Sequence, residues 1–368
     1  MELPAEFALL VACCRRPPST EAEEAVRRAA AAVDWPLLLA TAARHRVEGL
    51  VHDGLRRAGA PVPAEAAEKL AAEASGIARE NLLYAAEALR LSERFERAGI
   101  AHLFVKGVTL NILAYGTLAL KRSRDIDLLV APEDYAAACG TLAEAGYRCI
   151  HPPGADLEGV LRYAAAAKDS AWRSEAGIKV ELHQRLTENP MLLPGVDARS
   201  PAQRVEIAPG VSLPTLRREQ LFAYLCAHGA FTAWSRLKWL ADLAALVAGE
   251  EEAGIERLYR HAAALAPGRA AAQALLLAHR LFGTRLGPAL EAELRADRVT
   301  LYLERTALVT MAGGGARELG HRPFGAARLN LSVLMLQPGW RYKAAEIGRK
   351  LPSVPRALRA AMTGRRAP

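Results

Sequence analysis

The sequence predicts an α+β protein in which a short strand-and-helix core is flanked by helical regions on both sides. Three observations carry this. Alanine runs such as Ala29–Ala32 and Ala164–Ala167 recur, aromatic residues make up only 6% of the 368 positions, and alanine is the strongest helix former. Between Ile100 and Arg185, short apolar runs rich in β-formers alternate with helical patterns, the rhythm of strands joined by helices. On either side of that window the chain reads as helix.

Taken in order, Asp34-Trp35-Pro36 supplies a cap and a first-turn proline for a helix running toward Arg57. Pro61-Val62-Pro63 separates it from a long helix. There Tyr84, Ala88, Leu91 and Phe95 form one buried stripe, and Gly99 is the terminating glycine. Ile100–Val105 reads as a strand, Lys106-Gly107 as a turn, Val108–Tyr115 as a helix and Asp125–Val130 as a second strand. Pro132 opens a helix through Ala145, closed by Gly146. Arg148–Ile150 and Ile178–His183 read as further strands; between them Leu157–Ala167 is helical and Ser170–Ser174 a strand. Val205–Ile207 and Val211–Leu213 make a hairpin about Pro209-Gly210. From Arg217 helix returns to the end, broken at Pro267-Gly268 and Gly313-Gly314-Gly315. The expected organisation is a helical region over 1–99, an α/β core over 100–213 and a C-terminal helical domain with a basic tail over 214–368.

Hydrophobic residues at 51% and charged residues at 24% are globular values and exclude disordered, collagen-like and integral-membrane classes. Lys+Arg 48 against Asp+Glu 40 gives +8. From Arg341 onward eight basic residues face only Glu346, so that stretch carries +7 and the other 340 residues are near neutral. The basic tail 341–368 is expected to be a solvated terminus or a surface for RNA or another polyanion. Cys13, Cys14, Cys139, Cys149 and Cys226 are odd in number with no CxxC spacing, which predicts free thiols in a reducing compartment. Leu10-Val11-Ala12-Cys13 imitates a lipoprotein cleavage site. Glu2 and Glu6 stand where a signal peptide needs basic residues, and Phe7–Ala12 is too short. A cytoplasmic location is expected.

The candidate chemistry lies in Lys121–Val130. On a strand Asp125 and Asp127 share a face, ~6.7 Å apart along the backbone, with Arg124, Ile126 and Leu128 on the other. Two carboxylates brought to ~4 Å repel by about 4 kcal/mol at an effective dielectric of 20. A hard divalent ion suits such oxygen ligands. Glu181, alternating with Val180 and Leu182, supplies a third acid on a face shared with Lys179 and His183. The plainer reading is a surface turn for Asp-x-Asp and a hydrogen-bonded core or rim histidine for His183.

Lys106-Gly107, Arg124-Asp125-Ile126-Asp127-Leu128-Leu129-Val130, a helix ending at Gly146-Tyr147, and Glu181-Leu182-His183 together resemble the polymerase β-like nucleotidyltransferase superfamily. Within it the chain is most similar to the bacterial uncharacterised nucleotidyltransferases. The likeness covers the α/β core and extends to His45-Arg46-Val47 and to His228-Gly229 through Asp242. It implies a small mixed sheet with helices, and transfer of a nucleoside monophosphate from an NTP to an acceptor, with release of pyrophosphate. It implies that Asp125 and Asp127 bind two Mg2+ (or Mn2+) ions, while Glu181 binds the ion that activates the acceptor or acts as general base. The superfamily's phosphate turn, usually Gly-Ser or Gly-Gly, is here Lys106-Gly107-Val108, opening a helix N-terminus with a lysine as a further phosphate contact. A helix carrying His228 and Lys238 is implied beside the nucleotide. Lys238 and Asp242 fall about 40° apart on that helix, which equally suits a surface ion pair worth about 0.3 kcal/mol. Trp234, Trp239, Leu240 and Leu243 read as core. Two other readings stand beside the enzyme: a non-catalytic module that binds nucleotide or RNA, and a toxin-like enzyme that modifies tRNA or protein.

Overall fold

Five helices come first: α1 (Ala5–Cys14), α2 (Thr20–Ala30), α3 (Trp35–His45), α4 (Glu48–Ala58) and α5 (Ala64–Arg97). The computed structural model describes residues 2–313, 315 and 325–350. Asp34 caps α3, its carboxylate accepting from the Leu37 N–H at 2.8 Å. The helix expected to run toward Arg57 is two helices. Arg46 adopts a left-handed conformation (φ 58°), its N–H bonded back to the Ala42 and Ala43 carbonyls, and the chain turns before α4. Glycine or asparagine normally takes that position, so an arginine there leaves no sequence sign of the break. In α5 Ala88, Leu91 and Phe95 of the expected stripe are buried, whereas Tyr84 is half-buried, its hydroxyl donating to the Arg124 carbonyl at 2.9 Å, and Gly99 follows in the left-handed region (φ 69°).

The central elements are β1 (His102–Phe104), α6 (Val108–Tyr115), β2 (Ile126–Val130), α7 (Tyr135–Glu144), β3 (Arg148–His151), α8 (Leu157–Ala164), β4 (Asp169–Arg173) and β5 (Lys179–His183). Each predicted core strand is present, though Asp125 sits one residue before β2 rather than within it, and α7 is preceded by a separate 3-10 turn over Pro132–Asp134. The sheet order is β1-β2-β5-β4-β3. β2 and β5 are parallel; the other pairs are antiparallel. This mixed sheet buries both faces. Ile126, Leu128, Val130, Val180 and Leu182 join Leu91 and Phe95 of α5 and Leu142 of α7 in one core. Leu103 and Leu129 face the other way, into a core built largely from the terminal helices.

The hairpin β6 (Ala202–Ala208) and β7 (Val211–Leu216) follows, then α9 (Arg218–Phe231), α10 (Leu237–Leu246), α11 (Glu252–Ala264), α12 (Gly268–Phe282), α13 (Pro288–Ala296), α14 (Arg298–Ala312), α15 (Gly325–Met335) and α16 (Trp340–Lys350). The break at Pro267-Gly268 is present; the C-terminal part has further breaks that the alanine-rich pattern hid. Gly229 does not interrupt α9. A Cβ there would lie 2.3 Å from the Trp234 ring, so glycine lets the indole fold back against the helix. Trp234 is fully buried and its Nε1–H donates to Gln273 at 3.1 Å.

The start of the expected basic tail is a docked helix. In α16, Tyr342 and Glu346 are buried, and Glu346 pairs with Arg349 at 2.6 Å and Lys350 at 3.1 Å. Residues 351–368 of that tail lie outside the described residues. All five cysteines are free, four of them buried. Among the described residues no helix is long and apolar enough to cross a membrane.

Candidate active site

The approach to β2 is fixed by buried amides. Asn81 of α5, fully buried, donates to the Lys121 carbonyl at 2.7 Å and accepts from the Ser123 N–H at 2.8 Å. Asn111 of α6 also donates to the Lys121 carbonyl, at 2.8 Å. Side-chain amides thus replace the backbone partners this irregular segment lacks, as buried peptide groups require. They set where Asp125 and Asp127 emerge.

Parallel pairing of β2 with β5 puts Asp127 opposite Glu181, and antiparallel pairing of β5 with β4 puts His183 opposite Asp169. Asp127 is 2% exposed. Its Oδ1 meets the Lys106 ammonium at 2.9 Å and His183 Nε2 at 3.2 Å. Glu181 pairs with Lys179 at 2.5 Å, and its Oε2 lies 3.8 Å from His183 Nε2. The other imidazole nitrogen, Nδ1, is 3.5 Å from Asp169 Oδ2, and Asp169 is also paired with Lys168. Ligand atoms of Asp127, Glu181 and His183 lie within 4.8 Å of one another, a donor set that fits a divalent cation. Asp125 is outside this trio but inside its field.

Burial would raise the pKa of Asp127, yet the Lys106 charge and the His183 bond outweigh it and hold the carboxyl well below its ordinary value. Asp125 goes the other way, raised by burial and by the neighbouring Asp127 charge. Asp169 is lowered: His183 and Lys168 overcome the effect of its burial. Lys106 is raised well above its ordinary value, because Asp127 overcomes the penalty of its burial. Two aspartates two residues apart are therefore electrostatically unequal, which is the condition for giving them different work.

A cationic wall faces the carboxylates. Gly107 takes φ 66°, ψ −121° and opens α6 with no side chain capping the helix; glycine alone reaches that conformation without strain. Ser123 Oγ lies 3.6 Å from where a Cβ on Gly107 would stand. It is buried with no hydrogen-bond partner among the described residues. From α9, the Tyr224 ring lies 5.9 Å from Lys106 Nζ, and His228 packs between Tyr224 and Trp239 at 5.7 Å from each. Burial and the Lys106 charge keep His228 well below its usual pKa, hence neutral. On α10, Lys238 lies over the Trp239 ring at 5.6 Å, and burial with the Lys121 charge pulls its pKa down to about 7. Asp242 does not pair with it: Lys121 takes that carboxylate at 2.6 Å and the Tyr115 hydroxyl donates to it at 2.9 Å. Among the described residues no carboxylate is within ion-pair distance of Lys238. A cavity of about 350 Å3 opens beside this wall, lined by Lys168, Thr187, His228, Thr232 and Arg349 among others.

Of the residues singled out in the sequence, Asp127 and Glu181 are neighbours, and Lys106 touches Asp127 directly. Asp125, Gly107, His228 and Lys238 surround them. His183 was visible as sharing the Glu181 face but read as a core or rim residue. Asp169, Lys168, Ser123 and Tyr224 carried no signal of their own. Only strand pairing brings Asp169 to His183, and only the turn about Gly107 brings Ser123 to the site.

No curated protein matches the chain. The family model described as uncharacterised nucleotidyltransferase matches residues 31–283, a span holding the carboxylates and cations of this site apart from Arg349 and Lys350 at the cavity. On that match the chain belongs to the uncharacterised nucleotidyltransferase family and is a transferase of nucleotidyl groups.

Proposed function

We propose that the protein uses a divalent ion, Mg2+ in the simplest case, to transfer a nucleoside monophosphate from an NTP to an acceptor hydroxyl, on a polymerase β-like core. The observation that supports this reading best is the in-register placement of Asp127 and Glu181 on adjacent parallel strands, with Asp125 two residues upstream. Asp125, Asp127 and Glu181 would hold the ion, which supplies charge neutralisation at the attacking and leaving oxygens. The acceptor oxygen bonds to the α-phosphorus as the bond to pyrophosphate breaks, and the acceptor proton passes to Glu181 as general base. The phosphates lie at the N-terminus of α6, where backbone N–H groups favour an anion. Ser123 Oγ donates there, and Lys106 and Lys238 balance the charge. Neutral His228 holds Tyr224 and Trp239 in place at the edge of the cleft.

The test is a screen of the four NTPs with Mg2+ or Mn2+, following pyrophosphate release and self-modification, with Asp127→Asn and Glu181→Gln as controls. Turnover that persists in both variants refutes the reading. The Lys106–Asp127 pair favours a second one, a module that binds nucleotide without turning it over, with an ammonium standing permanently where a metal would sit. Calorimetric NTP binding with no pyrophosphate under any acceptor would support it. An RNA acceptor would draw on the arginines of the tail 351–368. Truncation after Lys350 would then weaken RNA binding and flatten its salt dependence.

A further inference from the structure

We propose that His183 is itself a metal ligand, oriented by Asp169, and that the centre is therefore a mixed nitrogen–oxygen one preferring a first-row transition dication over Mg2+. This rests on the metal-dependent reading above and goes beyond its three carboxylates. The His183 side chain is 3% exposed, and its Nε2 faces two acids, 3.2 Å from Asp127 Oδ1 and 3.8 Å from Glu181 Oε2. Its Nδ1 is buried without a hydrogen bond among the described residues and stands 3.5 Å from Asp169 Oδ2. Metal-bound histidines are built this way: one nitrogen lies among the ligand oxygens, and the other N–H is aimed at a carboxylate that fixes tautomer and ring.

The sheet delivers the whole arrangement. His183 is opposite Asp169 across β4, and Glu181, two residues back on the same face, is opposite Asp127 across β2. Asp125, by contrast, is outside the group whose ligand atoms converge. Charge agrees. Four acids, Asp125, Asp127, Asp169 and Glu181, face three lysines, Lys106, Lys168 and Lys179, so the lysines leave one carboxylate unmatched. Mg2+ favours oxygen ligands and retained water, whereas an imidazole nitrogen suits transition dications.

Mn2+ serves as the probe, bound to the full-length protein and examined by electron spin-echo envelope modulation. A directly coordinated nitrogen signal is expected. It should change to the 15N pattern when histidine alone is 15N-labelled, and vanish in His183→Gln. Asp169→Asn should weaken Mn2+ binding about 10–100-fold while keeping the nitrogen signal, and Asp169→Glu should restore part of that loss. In His183→Asp the preference for Mn2+ over Mg2+ should narrow. Bound Mn2+ without a histidine nitrogen signal overturns this inference and leaves the carboxylate reading standing. Failure of both ions to bind overturns the two together. If His183→Gln does not fold, the labelled native chain decides alone.

Discussion

Asp127→Asn probes the site through stability as well as turnover. The amide keeps the shape of the side chain and removes its charge. Two effects oppose each other. Repulsion from Asp125 is relieved by about 2.5 kcal/mol at a dielectric of 20 for a charge separation of the order of the two-residue strand spacing, ~6.7 Å. The Lys106 ammonium, only 19% exposed, loses its carboxylate, and stripping one partner from a buried pair costs about 3–5 kcal/mol. The loss wins by roughly 0.5–2.5 kcal/mol. At about 2.1 cal/mol/K per residue over the whole chain, the melting temperature should fall by about 1–3 °C. The lowered Asp127 pKa fixes the pH window. Its contribution is present above the unfolded value near 3.8 and is lost as pH falls below that, so native and variant should converge in acid. Scanning calorimetry in EDTA measures the gap, with Lys106→Met/Asp127→Asn as partner. The double variant should melt above Asp127→Asn, because it leaves no stranded ammonium. A single variant as stable as the native chain at pH 7, or a double variant no more stable than the single, would refute the pairing argument. Pyrophosphate release should be lost in both.

Lys238, with a pKa near 7 against 10.5 when unfolded, holds fewer protons in the folded state between those values. Its destabilising effect is therefore full below pH 7 and relieved as pH rises toward 10.5. At pH 8, NTP binding should take up a proton that calorimetry in buffers of different ionisation heat detects and Lys238→Met abolishes; equal heats in the native protein would count against Lys238 as a phosphate contact. Ser123→Ala removes a hydroxyl that has no hydrogen-bond partner among the described residues. Its melting temperature should not fall, because a buried hydroxyl without a partner is itself costly, while KM for the NTP rises, and an unchanged KM would exclude Ser123 from the phosphate cradle. Gly107→Ala meets only ordinary contacts, the nearest at 3.5 Å, so backbone strain alone should destabilise it, by about 1–3 kcal/mol in urea denaturation.

The part of the molecule most legible in the sequence was what depends on neighbours along the chain. Strand alternation placed Glu181 on one face with Lys179 and His183, whereas Asp125, expected beside Asp127 on its strand, sits before β2; the alternation of short strand and helix patterns found every core strand. What failed depended on an unusual residue or a distant partner. The break between α3 and α4 is made by Arg46 in a conformation arginine seldom takes. Of the two readings that spacing left equal for Lys238, the pair with Asp242 is absent because Lys121, from the segment before β2, reaches Asp242 instead. Spacing within one helix cannot reveal a competitor that arrives from another element. The same limit hid Asp169.

The lysines explain how a carboxylate cluster is accommodated in a packed sheet. Each acid that faces the site from β2, β4 or β5 has its own ammonium: Lys106 for Asp127, Lys168 for Asp169, Lys179 for Glu181. Two of these lysines are chain neighbours or strand-mates of their acids, and the third belongs to the turn that opens α6. These three acids are thereby paired before any ligand arrives, and of the site's acids Asp125 alone is left without an ammonium of its own among the described residues. Lys106 differs from the others because it sits between the candidate metal ligand Asp127 and the candidate phosphate turn at Gly107. A cation and a nucleotide entering together would compete with Lys106 for Asp127 while offering its ammonium a phosphate in exchange. Metal alone offers no such exchange. Divalent-ion affinity should therefore rise when NTP is present, and Lys106→Met, which leaves no ammonium to displace, should bind metal more tightly without nucleotide and lose that cooperativity. Equal metal affinity with and without NTP in the native chain would show that Lys106 does not link the two.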